Sequence, residues 1–223
     1  GNDRIRNQVF KNDGSGNLVF DHYFGFQISN TRGLCAADLN GDGFVDVAVA
    51  NRQGQNYIYF NNGKGNYADA QPFGGSKEAT ITIAAADMDG DGSMDLVLAN
   101  RDGQPNYIYF GSKFVKKITY GTGLDESRDV DVGDMDGDGQ LDIVVANIGD
   151  RNMIYYGSKK GSYARSKAFG DPAAATHSIM LADLDRDGNM DIVVGNKGQR
   201  NHYYLNNKKE LLQYTFGQKA GDT

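Results

Sequence analysis

Four short acidic loops recur along this chain, and their spacing constrains the fold more than any other feature. The third reads Asp134-Met-Asp-Gly-Asp-Gly-Gln-Leu-Asp142 and runs into the apolar stretch Ile143-Val-Val-Ala146. Carboxylates stand at positions 1, 3, 5 and 9, as Asp134, Asp136, Asp138 and Asp142, with Gln140 at position 7. The first loop places Asp38, Asn40, Asp42, Phe44 and Asp46 at these positions, and the second places Asp87, Asp89, Asp91, Ser93 and Asp95. The fourth has Asp183, Asp185, Asp187, Asn189 and Asp191. The first aspartates (38, 87, 134, 183) lie 49, 47 and 49 residues apart. One such loop arises easily by chance; four in register do not.

Glycines such as Gly137 and Gly139 let the backbone fold back tightly, so several hard oxygens converge from one short segment. That donor set suits Ca²⁺, which takes about 6–8 oxygens. Side chains at positions 1, 3, 5 and 9 are the expected ligands in all four loops. The backbone carbonyls of Phe44, Ser93, Gln140 and Asn189 at position 7 are expected to join them. An EF-hand needs a Glu at position 12 and flanking helices. Position 12 is instead Val49, Leu98, Val145 and Val194, and the flanks are β-prone. A hairpin turn alone needs one Asp and one Gly, and crowding further carboxylates there is repulsive without a cation. Loop one, with Asn40 for a carboxylate, is expected to be the weakest of four sites.

A period near 50 residues marks a repeat architecture. Each unit holds a short run ending in small residues, the acidic loop, a second run, a polar turn, a third run and an irregular fourth. Unit one spans about 31–74, unit two 80–121, unit three 127–170 and unit four 176–217. Residues 1–25 carry only the last two pieces, and 218–223 resemble the lead-in at 75–80. Four short strands per unit, joined by tight turns, predict an all-β fold of four-stranded antiparallel blades arranged as a β-propeller. Four full blades and a half blade are expected in this single region. Small residues before each loop (Ala36, Ala37, Ala85, Ala86, Gly133, Ala182) are expected to relieve crowding at the axis. The alternation of Tyr107 and Tyr109 with Ile108 and Phe110 suits a sheet packed between two neighbours.

Charge and composition narrow the function. The formal net charge is −6, and the four loops hold fifteen of the 29 acidic residues. Four bound Ca²⁺ would bring the chain to about +2, so the acidity belongs to the loops. No basic run tracks a phosphate backbone, which argues against nucleic acid. No apolar run reaches the 18 or so residues of a membrane span. Cys35 is the sole cysteine and reads as a packing residue. Weak Ca²⁺ sites are most useful where the ion is millimolar, so an extracellular location is expected, secreted or at the cell surface. The chain opens at Gly1 rather than Met, and a leader or longer N-terminal region is expected to precede it.

The repeats resemble the FG-GAP, or VCBS-type, repeats of integrin α-subunit propellers and related secreted proteins. The residues that carry the resemblance are the four loops, the strands after them and the Phe-Gly pairs at 24–25, 73–74, 169–170 and 216–217. Unit three departs with Tyr120-Gly121. The resemblance implies structural Ca²⁺ and a ring of about seven blades, and so a longer chain or an oligomer completing it. WD-type repeats are excluded by the absence of Trp.

A second polar feature recurs between the second and third runs, at 51–56, 100–106, 147–152 and 196–201, with a related copy at 2–7. Its paired Asn residues are suited to capping the turn. Arg52, Gln55, Arg101, Gln104, Arg151 and Arg200 would alternatively form a ligand surface for sugar hydroxyls, uronates or acidic protein side chains. His22, His177 and His202 fall at unrelated repeat positions, and no nucleophile–base pairing is present. The acidic stretch 125–129 with Asp131 reads as a lead-in to unit three. A binding or adhesion module for a glycan or extracellular protein is therefore the leading expectation. An assembly subunit of a filament or coat, and a polysaccharide lyase or glycosidase domain, are the alternatives.

Overall fold

The computed structural model describes residue 2 and residues 5–25 and 29–217. The lead-in at 218–223 and part of the turn copy at 2–7 lie outside the described residues. Every regular element is a β-strand. The strands β1 (Asn7–Asn12) and β2 (Leu18–Phe24) form a two-stranded sheet. Blade one follows as β3 (Thr31–Ala37), β4 (Asp46–Asn51), β5 (Asn56–Phe60) and β6 (Asp69–Phe73). Blade two holds β7 (Thr80–Ala86), β8 (Asp95–Asn100), β9 (Asn106–Phe110) and β10 (Lys116–Tyr120). Blade three holds β11 (Ser127–Gly133), β12 (Asp142–Asn147), β13 (Asn152–Tyr156) and β14 (Arg165–Phe169). Blade four holds β15 (Thr176–Ala182), β16 (Asp191–Asn196), β17 (Asn201–Asn206) and β18 (Leu211–Phe216). Each blade is a four-stranded antiparallel sheet in chain order.

The blades stack face to face through their first strands, β3 on β7, β7 on β11 and β11 on β15, which gives a propeller-like array. The second strands of blades two and three, Asp95–Asn100 and Asp142–Asn147, are buried along their length, and that of blade four is half-buried at Val193, Gly195 and Asn196. Period-two alternation then decides which neighbour each side chain meets. In β9, Tyr107 and Tyr109 pack against blade one, whereas Ile108 and Phe110 pack against blade three. Among the described residues no core cluster joins the β1–β2 sheet to blade four, and the array is open.

The Phe-Gly pairs have a packing role. The last aromatic of one blade meets a third-strand Tyr of the next in an edge-to-face pair, a favoured aromatic geometry. Phe24–Tyr59, Phe73–Tyr109, Tyr120–Tyr155 and Phe169–Tyr204 have centroids 5.4, 5.7, 5.6 and 5.2 Å apart. The following glycine has positive φ, and a Cβ there would sit 3.2–3.4 Å from that Tyr hydroxyl at Gly25, Gly74, Gly121 and Gly170. Tyr120-Gly121 does the same work as Phe-Gly.

Crowding near the axis follows the expectation at Gly133, which is buried and where a Cβ would stand 3.1 Å from Leu181 Cδ1, but not at the alanines. Ala36 is exposed, and Ala37, Ala85, Ala86 and Ala182 are half-buried. The first strands of blades one and two approach closely at Gly33, where a Cβ would stand 2.7 Å from the Ile81 carbonyl oxygen and 2.9 Å from Thr82 Cα. A register shift between Thr31 and Gly33 recurs at the same place in the other three blades, where the position of Gly33 is held by Thr82, Asp129 and Ser178.

Candidate metal centre

Each acidic loop is built around its first aspartate. Asp38, Asp87 and Asp134 each accept three backbone N–H bonds at 2.7–3.2 Å from residues three, four and five positions on. Asp183 accepts two, from Asp187 and Gly188. This wraps the loop around one carboxylate. Position 4 must take positive φ to close the wrap: Gly41, Gly90 and Gly137 lie at 75–78°. In loop four the position is Arg186 at φ 65°, a left-handed conformation that L-residues adopt at a cost.

The aspartate at position 9 does a different job. Asp46, Asp95, Asp142 and Asp191 are fully buried. One oxygen of each accepts the N–H of the loop's second residue, and the other accepts an N–H at the end of the third strand. For Asp142 the donors are Met135 and Gly157, both at 2.8 Å. Asp95 repeats this with Met88 and Gly111, Asp46 with Leu39 and Asn61, and Asp191 with Leu184 and Asn206. The carboxylate thus pins the loop to its own blade. Burial pushes Asp142 up to about 6, against the backbone N–H bonds and helped by the charges of Asp136 and Asp134. Burial likewise raises Asp46 and Asp95.

Positions 1, 3 and 9 converge. One carboxylate oxygen from each of Asp87, Asp89 and Asp95 lies within 4.8 Å of the others, and the same holds for Asp134, Asp136 and Asp142 and for Asp183, Asp185 and Asp191. Loop one supplies no such triad, because Asn40 takes position 3. Position 5 lies outside each triad. Asp42, Asp91, Asp138 and Asp187 instead accept the N–H of position 7, that is of Phe44, Ser93, Gln140 and Asn189, at 2.7–2.9 Å. The donor set fits a hard divalent cation: all-oxygen, anionic, with one member whose burial penalises its charge until a cation is near. Asp87, Asp89 and Asp95 would hold an ion in loop two, Asp134, Asp136 and Asp142 in loop three and Asp183, Asp185 and Asp191 in loop four, and each ion would supply charge neutralisation. Side-chain cations already approach position 3, Lys116 Nζ at 3.9 Å from Asp89 and the Arg165 guanidinium paired with Asp136.

The opposite end of the blades carries the polar turns. The second Asn of each turn accepts the first one's N–H, and the first Asn's amide donates to the carbonyl just before the second. For Asn51 and Asn56 these bonds are 2.8 Å, and 2.7 Å to the Gln55 carbonyl. Asn100 with Asn106, Asn147 with Asn152 and Asn196 with Asn201 repeat the arrangement. Gln55 and Gln104 are committed to backbone rather than ligand, through Phe73 and through Lys77 and Ala79. Arg52 makes a two-pronged pair with Asp102, and Arg101 lies between Asp102 and Glu126. Arg151 and Arg200 are exposed.

Sequence reasoning missed the first-strand hydroxyl that joins these turns between blades. Asn56 Nδ2 donates to Thr80 Oγ1, Asn106 Nδ2 to Ser127 Oγ and Asn152 Nδ2 to Thr176 Oγ1. Thr31, Ser127 and Thr176 pass the bond on to Asn51, Asn147 and Asn196. The signal was present, since Thr31, Thr80, Ser127 and Thr176 recur with the period of the loops. Asp129 and Asp131 also differ from expectation. They are no solvated lead-in: their carboxylates accept the N–H of Ile179 and of Leu181 on the next inner strand.

Among solved structures, the crystal structure of BBS1N in complex with ARL6DN, soaked with mercury, is similar with a TM-score of 0.62 at 16% identity, over 85% of this chain and 58% of that one. The same complex soaked with lead gives 0.61 at 13% identity, over 97% and 64%. The crystal structure of the V. cholerae biofilm matrix protein Bap1 gives 0.52 at 21% identity, over 85% and 31%. The chain thus spans about three fifths of the BBS1N chains. These likenesses are of fold. No curated protein matches the sequence. A family model described as FG-GAP-like repeat matches residues 38–98, 87–145 and 134–194, each match running from one acidic loop into the strand after the next. The chain belongs to the FG-GAP-like repeat family.

Proposed function

We propose that this chain is part of an extracellular β-propeller of about seven blades, held together by Ca²⁺ in its four acidic loops, that works as a non-catalytic module binding a protein or glycan. The observation that carries the metal reading is the convergence of Asp134, Asp136 and fully buried Asp142, repeated in loops two and four. Loop one is the weakest site on this reading. Removing the ion leaves three carboxylates facing one another, so the ion stabilises the fold by linkage. The binding reading is supported by the similar structures, one a biofilm matrix protein and one a protein bound to a partner. On this chain the exposed Arg151 and Arg200 are the side chains suited to an acidic partner or a uronate, whereas Arg52 and Arg101 are paired with Asp102 and Glu126.

Calorimetric titration with Ca²⁺ and thermal melts with excess chelator test the metal. Saturable uptake and a melting point several degrees lower in chelator are expected; an unchanged melt would remove the structural role. A glycan array probed with wild-type protein and with Arg151→Ala/Arg200→Ala tests the surface. Loss of a specific signal without loss of stability supports it, and equal binding by the double variant overturns it.

A further inference from the structure

We infer that Arg165 is a built-in rival of the ion at loop three: its guanidinium holds Asp136 in the empty loop and gives it up when Ca²⁺ binds, so the chain limits its own affinity for the metal there. This rests on the calcium reading and goes beyond it, to what sets the strength of one site. Asp136 supplies one of the three converging carboxylates of loop three. Arg165 Nη2 pairs with its Oδ2. An ion entering the triad meets a carboxylate that is already neutralised, and two cations gathered on one carboxylate repel each other.

The guanidinium has a seat that aims it at the loop. Arg165 opens β14 and stands opposite Tyr156, the last residue of β13. Its guanidinium carbon lies 3.9 Å from the Tyr156 ring centroid, a position in which an aromatic face attracts a cation. Blade two repeats the device with a different base. Lys116 opens β10 opposite Phe110, with Nζ 4.6 Å from that ring centroid and 3.9 Å from Asp89 Oδ2. Blade one reverses the charges: position 3 of its loop is Asn40, and the residue opposite Phe60 is Asp69. Blade four has neither part, since Leu211 stands opposite Asn206. The base therefore comes together with its aromatic seat and its carboxylate, and an acid stands in its place where that carboxylate is missing. Arg165 is the stronger of the two rivals, because it touches its aspartate and because a planar guanidinium matches a carboxylate better than an ammonium does. Loops two and three each belong to a blade with a blade packed on either side, so their surroundings are complete in this array.

The test is a Ca²⁺ titration of the ¹⁵N-labelled 223-residue chain by nuclear magnetic resonance, following the Gly137 and Gly139 amides, which donate to Asp134 in loop three. Wild type, Arg165→Gln and Lys208→Gln are compared. The Lys208 ammonium rests against Gly137 from blade four, so its removal takes away a nearby charge without breaking the pair at Asp136. Arg165→Gln should bind Ca²⁺ in loop three about threefold to tenfold more tightly than wild type, the range that one exposed ion pair supports. Lys208→Gln should change it less than about twofold, as should either substitution at the Gly90 and Gly92 amides of loop two. In wild type the Arg165 Nε signal should move along the same curve as Gly137. Weaker or unchanged binding by Arg165→Gln, an equal gain from Lys208→Gln, or a stationary Nε signal would each overturn the inference while leaving calcium in place. Loop-three amides that ignore Ca²⁺ in all three proteins would overturn both.

Discussion

Asn56 Nδ2 donates to Thr80 Oγ1 at 2.9 Å across the boundary between blades one and two, and both side chains are fully buried. Losing the hydroxyl strands a buried amide hydrogen, which costs about 1–3 kcal/mol. Thr80→Val is therefore expected to lower unfolding free energy by that amount in urea titrations, while Thr80→Ser stays near wild type. Equal effects of the two would show that packing, not the bond, matters there.

Arg186 occupies with positive φ the position that glycine holds in the other three loops. Arg186→Gly should relieve about 1 kcal/mol of left-handed strain and raise the urea midpoint. A lowered midpoint would mean that the Arg side chain contributes more than its backbone costs.

The two kinds of loop aspartate should separate by mutation. Asp89 belongs to a triad and accepts no backbone bond that holds the loop to the blade, whereas Asp95 accepts two. Asp89→Asn should leave the melt in chelator unchanged or slightly higher, and shrink the rise that Ca²⁺ produces. Asp95→Asn puts an amide NH₂ against a backbone N–H donor and should lower the melt in chelator by about 1–3 kcal/mol. Matching behaviour of the two variants would contradict this division.

The pH dependence has a definite sign. Asp142 is raised from 3.8 to about 6, chiefly by burial, so without metal the folded state holds a proton that the unfolded state has released. Its contribution to stability is present below about 4 and is lost as pH rises through about 6, at roughly 1.4 kcal/mol per unit of separation. Asp46 and Asp95 act in the same direction. In chelator the protein should melt higher at pH 5 than at pH 7. In Ca²⁺ the order should reverse, because protons compete with the ion. A chelated melt that falls on acidification would refute it.

Close approach at the axis gives a further expectation. A side chain at Gly33 would collide with backbone atoms of Ile81 and Thr82, which cannot rotate away. Gly33→Val should cost more than about 2 kcal/mol or prevent folding, whereas Ala36→Val, at an exposed position, should be nearly neutral. Chemical denaturation of both variants decides it.

Much of the fold was legible because strand periodicity and turn chemistry are local. The run Asp95–Asn100 reads as a buried strand from its own residues, and the Asp-Gly loops announce the turns beside it. The expected ligands were legible only as a set. Loop positions 1, 3 and 9 converge, position 5 gives one carboxylate oxygen to the N–H of position 7, and position 9 combines a place in the triad with tethering of its loop. Nothing in the order Asp-x-Asp-x-Asp separates these roles, because they depend on which N–H groups the closed loop turns inward. Gln55 and Gln104 looked available from sequence and are bonded to backbone of neighbouring segments.

By itself the sequence determined the period, the all-β character and the gathering of acidic side chains into loops, since each follows from residues within a few positions of one another. Only the tertiary structure decided what joins one blade to the next: Phe169 against Tyr204, Asn152 against Thr176, Asp131 against the backbone of Leu181. Those partners lie some 24 to 50 residues apart in the chain. Side-chain direction and blade spacing choose them, and neither quantity exists until the sheets have formed and stacked.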